Sequence, residues 1–455
     1  MQKTLEYLQA NRDRYEEELF QWLRIPSISA DSAYRGDCHK AAEWLAGELN
    51  RIGLKAELIE TDGNPLVYAE NEPVEGRTTV LIYGHYDVQP VDPVDLWETG
   101  PFEPTIRDGK LYARGSSDDK GQVMTHVKSV EAMLAAEGSL PVNVKFLIEG
   151  EEEIGSPSLG KYAQTPEGTK RLACDCIVVS DTNQLGPGKP AITCGLRGIQ
   201  AVELFLEGPN KDLHSGSFGG SVMNPGNALC KIISALVDDE GRIQIPGFYD
   251  DVVELTDAER EQLASLPFDE EAYREQLGVD ELFGEKDRTT LERRWTRPTL
   301  DINGLTCGYQ GEGSKTIVPA KASAKISCRL VPNQDPEKIK EQIQKRVAEV
   351  CPPGVRCTVV DCHGASGMLV PLDSPYMAAA IGAIKDGFGI EPVMVREGGS
   401  IPIVALLSKV LESDALLLGW GQSDDAIHSP NERFTLDDYH LGIKTSACFW
   451  NQLSD

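Results

Sequence analysis

The sequence predicts an α/β fold made of one discontinuous domain with a mostly parallel central sheet and one inserted α+β domain. Three observations predict it. Helical and strand patterns alternate over residues 1–194, a different order of elements occupies residues 195–365, and the alternating pattern resumes over residues 366–455. Strands that alternate with helices are typical of a parallel sheet. We therefore expect the first and third stretches to share one sheet, and the second to form a smaller domain.

The first stretch carries most elements of the expected parallel sheet. Helical spacing of apolar residues covers about 2–23, 39–53 and 121–136. Short apolar runs at 79–83, 144–148 and 177–180 are typical of buried strands. The order of these runs and helices predicts crossover connections between parallel strands.

The middle stretch predicts a different topology. Strands at 199–207, 299–305, 322–331 and 356–362 combine with helices at 224–237 and 336–350. They follow in the order β-α-β-β-α-β, which is the split βαβ arrangement. An acidic, helix-prone insertion at about 238–297 interrupts this order.

The last stretch returns to the first pattern. A helix at 374–388, a strand at 414–418 and a helix at 436–452 complete the prediction. The simplest architecture that accommodates them is an α/β domain whose chain is interrupted by the middle one.

Composition limits the kind of partner. The chain has 455 residues and a formal net charge of -28 at pH 7. This charge argues against nucleic acid and anionic membranes, which bind basic surfaces. No apolar stretch is long enough to span a bilayer, and the N-terminus lacks the pattern of a signal peptide. The 11 cysteines contain no C-x-x-C pair, which disfavours a structural zinc site with thiolate ligands. Their odd number and scattered positions fit reduced thiols, so we expect a cytoplasmic location.

Metal-binding and acid–base side chains cluster where predicted strands end or helices begin. These side chains are His85 and Asp87 after the strand at 79–83, Asp118 and Asp119 before the helix at 121–136, Glu149 and Glu151 to Glu153 after the strand at 144–148, Asp181 after the strand at 177–180, and His428 after the strand at 414–418. In open α/β sheets, binding sites form at the carboxyl ends of the strands.

Each of these motifs alone also fits a structural role. Asp118 and Asp119 fit a helix N-cap, and the acidic run fits a solvated loop. Together they predict a metal site, and a mixture of histidine and carboxylate ligands suits zinc or manganese. A serine hydrolase is disfavoured because the chain has no G-x-S-x-G motif.

The chain resembles the metallopeptidase family of aminoacylase, succinyl-diaminopimelate desuccinylase and glutamate carboxypeptidase, in particular its branch of carnosinases and cytosolic non-specific dipeptidases. The motifs that carry the resemblance are residues 115–121 (G-S-S-D-D-K-G), 149–156, 195–198 (G-L-R-G), 211–216 (K-D-L-H-S-G), 328–333 (C-R-L-V-P-N), 396–402 (R-E-G-G-S-I-P) and 428–432. The resemblance implies a zinc-exopeptidase-like fold, two divalent metal ions per subunit, a small peptide substrate and a homodimer joined through the middle, lid domain.

The resemblance also implies roles for individual residues. His85 and Asp181 would bind one metal ion, Glu153 and His428 the other, and Asp118 both. Glu152 would be the general base, and Asp87 would orient His85. In the lid domain, His214 would reach the partner subunit's site, while Arg329, Thr316, His363 and Ser400 would hold the substrate. A cis peptide bond is implied between Asp118 and Asp119.

These roles predict hydrolysis of the amide bond of dipeptides with a free C-terminal carboxylate. A metal-activated water would attack, and Glu152 would take its proton. Two alternatives remain open: an N-acyl-amino-acid deacylase of the same family, and a metal-binding or interaction protein that has lost catalysis. The intact ligand set and Glu152 disfavour the second of them.

Overall fold

The computed structural model describes residues 1–454 and divides into two units. The first comprises Met1–Cys194, Val370–Val395 and the chain from Ile403 onward, and the second comprises Gly195–Leu369 and Arg396–Pro402. The segment Arg396–Pro402 thus belongs to the second unit, although it lies in the part of the sequence expected to return to the first domain. Within residues 1–454, no helix combines the length and apolar character needed to cross a membrane.

The helices run, in chain order, as α1 Gln2–Ala10, α2 Arg12–Leu23, α3 Arg35–Arg51, α4 Lys120–Glu137, α5 Pro157–Ala163, α6 Pro166–Leu172, α7 Ser215–Phe218, α8 Pro225–Ser234, α9 Asp257–Ser265, α10 Glu270–Leu277, α11 Thr290–Trp295, α12 Pro336–Val350, α13 Pro375–Phe388, α14 Pro402–Leu411 and α15 Leu436–Gln452.

The strands are β1 Lys55–Ile59, β2 Leu66–Glu70, β3 Thr79–His85, β4 Thr105–Arg107, β5 Lys110–Tyr112, β6 Asn143–Glu149, β7 Cys176–Val179, β8 Ala191–Leu196, β9 Gly198–Glu207, β10 Leu213–His214, β11 Thr299–Cys307, β12 Ile317–Val318, β13 Lys321–Leu330, β14 Arg356–Ala365, β15 Met368–Leu369, β16 Val393–Glu397, β17 Asp414–Leu417 and β18 Arg433–Thr435.

The main sheet of the first unit has a parallel centre. Its strands follow in the order β1-β2-β6-β3-β7-β17-β8, and the four strands β6, β3, β7 and β17 are mutually parallel. The flanking strands β1, β2 and β8 pair antiparallel. The predicted α/β class with its parallel core is therefore confirmed. Since β3, β6 and β7 share a direction, their carboxyl ends meet at one edge of the sheet.

The helix that follows the Asp118 loop lies in the core of the first unit. Helix α4 is buried on all sides from Lys120 to Met133, which explains its weak amphipathic pattern. It ends at Gly138, which adopts the left-handed conformation with φ 77°. Because α4 is fixed along its length, the loop at its N-terminus has a rigid support.

The second unit has the predicted split βαβ topology. Its four-stranded antiparallel sheet has the order β11-β13-β9-β14. Alternate residues of β13 are buried, and α12 buries Ile339, Ile343 and Val347 at helical spacing against the same core. The acidic insertion forms the short helices α9, α10 and α11, as its composition predicted.

Some boundaries differ from the sequence prediction. The helix expected over residues 2–23 is two helices, which meet at Asn11. The Asn11 side chain donates to the Tyr7 carbonyl at 2.8 Å, a local bond that competes with continued helix geometry. The antiparallel strands β1 and β2 were missed. The apolar pattern of β1 is weak because it is a half-exposed edge strand, whereas β2 is buried but only five residues long.

Candidate metal centre

The predicted ligands come from loops at the carboxyl edge of the parallel strands. His85 is the last residue of β3, Glu153 lies four residues beyond β6, and Asp181 lies two residues beyond β7. Asp118 occupies the loop between β5 and α4, and His428 the loop before β18. The peptide bond between Asp118 and Asp119 is cis, as the resemblance implied.

These side chains form two groups that share one carboxylate. His85, Asp118 and Asp181 offer ligand atoms within 4.8 Å of one another, and so do Asp118, Glu153 and His428. His85 Nε2 lies 3.0 Å from Oδ1 of Asp118, and His428 Nε2 lies 3.0 Å from its Oδ2. Asp118 therefore directs one oxygen into each group, as a ligand that bridges two ions would.

The charges and burial of these groups fit divalent cations. Burial and the carboxylates of Asp118 and Asp119 raise the pKa of Asp181 well above its usual range. Burial also opposes ionisation of Asp118, but the imidazoles of His428 and His85 hold its pKa below the usual range. His85 Nε2 is buried and makes no hydrogen bond of good geometry within residues 1–454. A cation would supply both the missing positive charge and the missing partner of this nitrogen.

The two groups differ in their exposure. The His85 side chain is fully buried, whereas 53% of the His428 side chain is exposed. The loop that presents His428 contains three non-glycine residues in the left-handed conformation, namely Ala426, His428 and Asn431 with φ of 56°, 59° and 63°. Such backbone is sparsely populated and persists only where surrounding contacts hold it.

Asp87 fixes the neighbouring acidic loop as well as His85. His85 Nδ1–H donates to the Asp87 carbonyl oxygen at 3.0 Å, and Asp87 Oδ1 lies 3.4 Å from the same nitrogen. The two carboxylate oxygens of Asp87 accept from the backbone N–H groups of Glu152 and Glu153 at 3.2 and 3.1 Å. Hence the tautomer of His85 and the position of Glu152 depend on one residue.

Glu152 lies beside the ligands but belongs to neither group. Burial and the carboxylates of Glu153 and Asp118 raise the pKa of Glu152 to about 7, although the nearby His85 opposes the rise. A carboxylate with a pKa near neutrality can both accept and release a proton at pH 7. The position of Glu152, next to the ligands but outside both groups, therefore suits a general base.

The other acids of the run have structural partners. Glu151 accepts from the N–H groups of Asn64 and Ser158, each at 3.0 Å, and is buried. Glu149 accepts from the hydroxyls of Tyr83 and Ser156 at 2.9 and 2.8 Å. These bonds fix both ends of the loop that carries Glu152, so Glu151 is not free to act as a base.

The predicted substrate residues all lie in the second unit. Arg329 on β13 donates from Nη1 to Ser400 Oγ at 2.9 Å, so the structure brings these two together. His214 ends β10 and is exposed, and its Nδ1 accepts from the Gly216 N–H at 3.0 Å. Thr316 is exposed beside it, with its carbonyl accepting from the Ser215 N–H at 3.0 Å. His363 is exposed on β14, next to a register shift.

Sequence reasoning gave no side-chain role to several residues that surround the ligands. Gln89 donates to Glu153 at 2.7 Å, Asp119 accepts from the His85 N–H at 3.1 Å, and Ser117 donates to Asp425 at 2.9 Å. Ser117 and Asp119 lie inside the motif at residues 115–121, and Asp425 lies three residues before the motif at 428–432, but no local pattern shows which atoms they bond. Only the position of Gln89, four residues after His85, could have drawn attention to it.

Comparison with known proteins identifies relatives of the whole chain. The sequence pattern of peptidase family M20/M25/M40 matches residues 81–452. The Cys-Gly metallodipeptidase of Schizosaccharomyces pombe is 34% identical, with 100% of this chain and 98% of that protein covered. The human Beta-Ala-His dipeptidase is 32% identical, with 100% and 93% covered.

Solved structures agree with this comparison. The structure of human carnosine dipeptidase 1 superposes with a TM-score of 0.88 at 32% identity, covering 100% of this chain and 98% of that one. A metallo-carboxypeptidase of the M20 family from Sulfolobus solfataricus has a TM-score of 0.88 at 38% identity, with 97% and 99% covered. The fold described above is thus shared with proteins that are similar over nearly their full length.

Proposed function

The chain belongs to peptidase family M20/M25/M40, and from this premise we propose that it is a metal-dependent dipeptidase acting on dipeptides with a free C-terminal carboxylate. The observation that carries the proposal is the pair of ligand groups joined by Asp118, with Glu152 beside them. The similarity to dipeptidases over nearly the full length of both chains supports it.

Two divalent ions would occupy the site. His85 and Asp181 would hold one, Glu153 and His428 the other, and Asp118 both. When bound, two such ions polarise the scissile carbonyl and lower the pKa of a water shared between them. Zinc suits these nitrogen and carboxylate ligands best, with manganese as the alternative.

Glu152 would move the protons of the reaction. As a carboxylate it accepts a proton from the attacking water, and as the acid it donates that proton to the nitrogen of the leaving amine. Asp87 holds the Glu152 backbone in place and fixes the ring of His85, so we assign it a positioning role.

Residues of the lid would recognise two groups of the dipeptide, its free C-terminal carboxylate and its scissile carbonyl. A guanidinium such as that of Arg329, oriented by Ser400, suits the free carboxylate of a dipeptide. Thr316 and His363 would add contacts to the substrate. His214 would donate to the developing oxyanion in the site of a partner subunit, which requires a homodimer joined through the lid domains.

The thiol state agrees with a cytoplasmic location, which we propose for this enzyme. All 11 cysteines are free within the described chain. Reduced thiols are the rule in the cytoplasm, whereas exported proteins of this size commonly carry disulfides.

A substrate panel tests the proposed reaction. Metal-depleted protein is reconstituted with zinc or manganese, and kcat/KM is measured on dipeptides, the matching dipeptide amides, tripeptides and N-acetyl amino acids. We expect the free dipeptides to be the best substrates and their amides to be poor ones, because the amides lack the carboxylate. Preferred cleavage of N-acetyl amino acids would overturn the proposal in favour of a deacylase, which the reported relatives do not support.

A further inference from the structure

Glu432 connects the two loops that present Asp118 and His428, although it belongs to neither ligand group. Its side chain is fully buried, and so is that of Arg114, its ion-pair partner. Glu432 lies four residues beyond His428, and Arg114 lies four residues before Asp118. The pair therefore joins segments that are 318 residues apart in the chain.

The Glu432 carboxylate accepts hydrogen bonds from three backbone N–H groups and from the buried guanidinium of Arg114. Glu432 Oε2 accepts from Arg114 Nη1 at 2.7 Å and from the Gly115 N–H at 3.0 Å. Its Oε1 accepts from the N–H groups of Ser117 and Asp118 at 3.0 and 3.1 Å. Consecutive backbone N–H groups that converge on one anion form a nest, which sets the path of the chain around the anion.

Arg114 is itself held in a single position. Its Nη2 donates to the Pro90 carbonyl at 3.0 Å, and its guanidinium lies 5.4 Å from the centre of the Trp97 ring. Its backbone N–H donates to the Pro101 carbonyl at 2.8 Å. The guanidinium thus gives Glu432 a fixed partner and is not a mobile counter-ion.

The loop of His428 depends on this attachment. Three of its residues have the left-handed backbone described above, and Glu432 immediately follows Asn431, the last of the three. The Glu432 carbonyl accepts from the Ala113 N–H at 3.1 Å, and the pairing of β18 with β5 continues from there. Both the side chain and the backbone of Glu432 therefore fix the loop against the segment that leads to Asp118.

We infer that Glu432, held by Arg114, is a positioning residue that sets Asp118 and His428 at the separation needed to bind a metal ion. A buried ion pair is weak support for overall stability, because desolvation offsets its attraction. Here the carboxylate has a more specific effect, since it bonds directly to the backbone of one ligand and lies on the same loop as the other. The inference rests on the metal centre proposed above.

The test measures metal affinity in the full-length chain. Metal-depleted wild type, Glu432→Gln and Arg114→Lys are titrated with Zn²⁺ by calorimetry in competition with a chelator. Glu432→Gln keeps the size of the side chain but replaces one acceptor oxygen with an NH2 group. This NH2 group would point at N–H donors of the protein and could not accept their hydrogen bonds. We expect wild type to bind two ions and Glu432→Gln to bind at least one of them about 10–100-fold more weakly.

Glu285→Gln is the matched control, because Glu285 forms a comparably buried ion pair with Arg297 in the second unit. It should lower the urea midpoint while leaving both dissociation constants unchanged. If Glu432→Gln also changes stability but not affinity, the inference is wrong. If Glu432→Gln does not fold, Arg114→Lys is the test: weaker Zn²⁺ binding than in wild type supports the inference, and unchanged Zn²⁺ binding refutes it. A wild type that binds fewer than two ions would instead refute the metal centre itself.

Discussion

At the scale of single residues, the proposed chemistry depends on the partners of each carboxylate in the acidic run. Some accept hydrogen bonds from the protein, one belongs to a ligand group, and one, among the described residues, does neither. Glu151 and Glu149 accept two hydrogen bonds each, and Glu153 belongs to a ligand group. Glu152 belongs to neither ligand group, which is why we propose it as the general base. Four acids within five residues thus have different functions because their partners differ.

The role of Glu152 can be tested by removing its proton acceptor. Glu152→Gln preserves size, so two ions should still bind while kcat falls by at least about 10²-fold. Metal analysis and steady-state kinetics on the same preparation measure both quantities. Glu151→Gln is the comparison, and it should lower stability more than activity. Retained activity in Glu152→Gln would show that the base lies elsewhere.

Asp118 should be needed for both ions. Because each of its oxygens faces a different ligand group, Asp118→Ala should lose both ions, whereas Asp181→Ala should weaken one selectively. Elemental analysis after dialysis against a weak chelator gives the number of ions per chain. If Asp118→Ala retains one tightly bound ion, the two groups do not share this carboxylate.

Glu149 should make stability depend on pH. Burial, with the Asp87 carboxylate, raises its pKa from 4.5 to about 8 in the folded state. Its stabilising contribution is therefore complete below pH 4.5 and is lost as the pH rises through 8. Glu149→Gln cannot ionise, so wild type should lose stability relative to it by up to about 1.4 kcal/mol per pH unit in that window. Urea unfolding of the metal-free proteins measures the difference, and a pH-independent difference would contradict this account.

At the scale of elements, the short segment that carries Ser400 is held by Arg197 within the second unit. Arg197 donates from Nε to the Gly398 carbonyl at 3.0 Å and from Nη1 to the Arg297 carbonyl at 3.3 Å. Burial and the nearby guanidinium of Arg329 lower the pKa of Arg197 to about 10. These bonds hold the segment that presents Ser400, the partner of Arg329.

Arg197→Met should therefore weaken substrate binding more than chemistry. Losing two hydrogen bonds of about 1 kcal/mol each, and with them the orientation of Arg329, should raise KM for dipeptides at least about tenfold. The metal content should not change. Arg197→Lys keeps the positive charge but not the two hydrogen bonds. A normal KM in that variant would show that substrate binding depends on the charge of residue 197 and not on these two bonds.

At the scale of the whole molecule, the role proposed for His214 predicts a homodimer in which each subunit completes the site of the other. His214→Ala and Glu152→Gln should each be inactive as homodimers and still bind metal. In a mixed dimer, one site would carry both lesions and the other neither, so activity should partly return after subunit exchange. Labelled subunits verify that mixed dimers form, and verified mixed dimers without activity would show that His214 does not act across the interface.

The sequence by itself determined the fold class, the split βαβ topology and the residues that we propose for the metal centre. Periodicity identifies buried strands, and side chains at the carboxyl ends of parallel strands must meet at one edge. His85, Asp181 and the acidic run could be grouped on that basis alone. The resemblance to a metallopeptidase family then implied their separate roles and the cis bond at Asp118.

Only the tertiary structure decided which atoms these residues use. It showed that Asp118 divides its two oxygens, that Asp87 binds the backbone of Glu152 and Glu153, and that Glu432 joins two distant loops. Local patterns report how a segment is buried, but they do not report which donor a buried carboxylate faces. That choice depends on contacts between segments hundreds of residues apart, which form only once the core has packed.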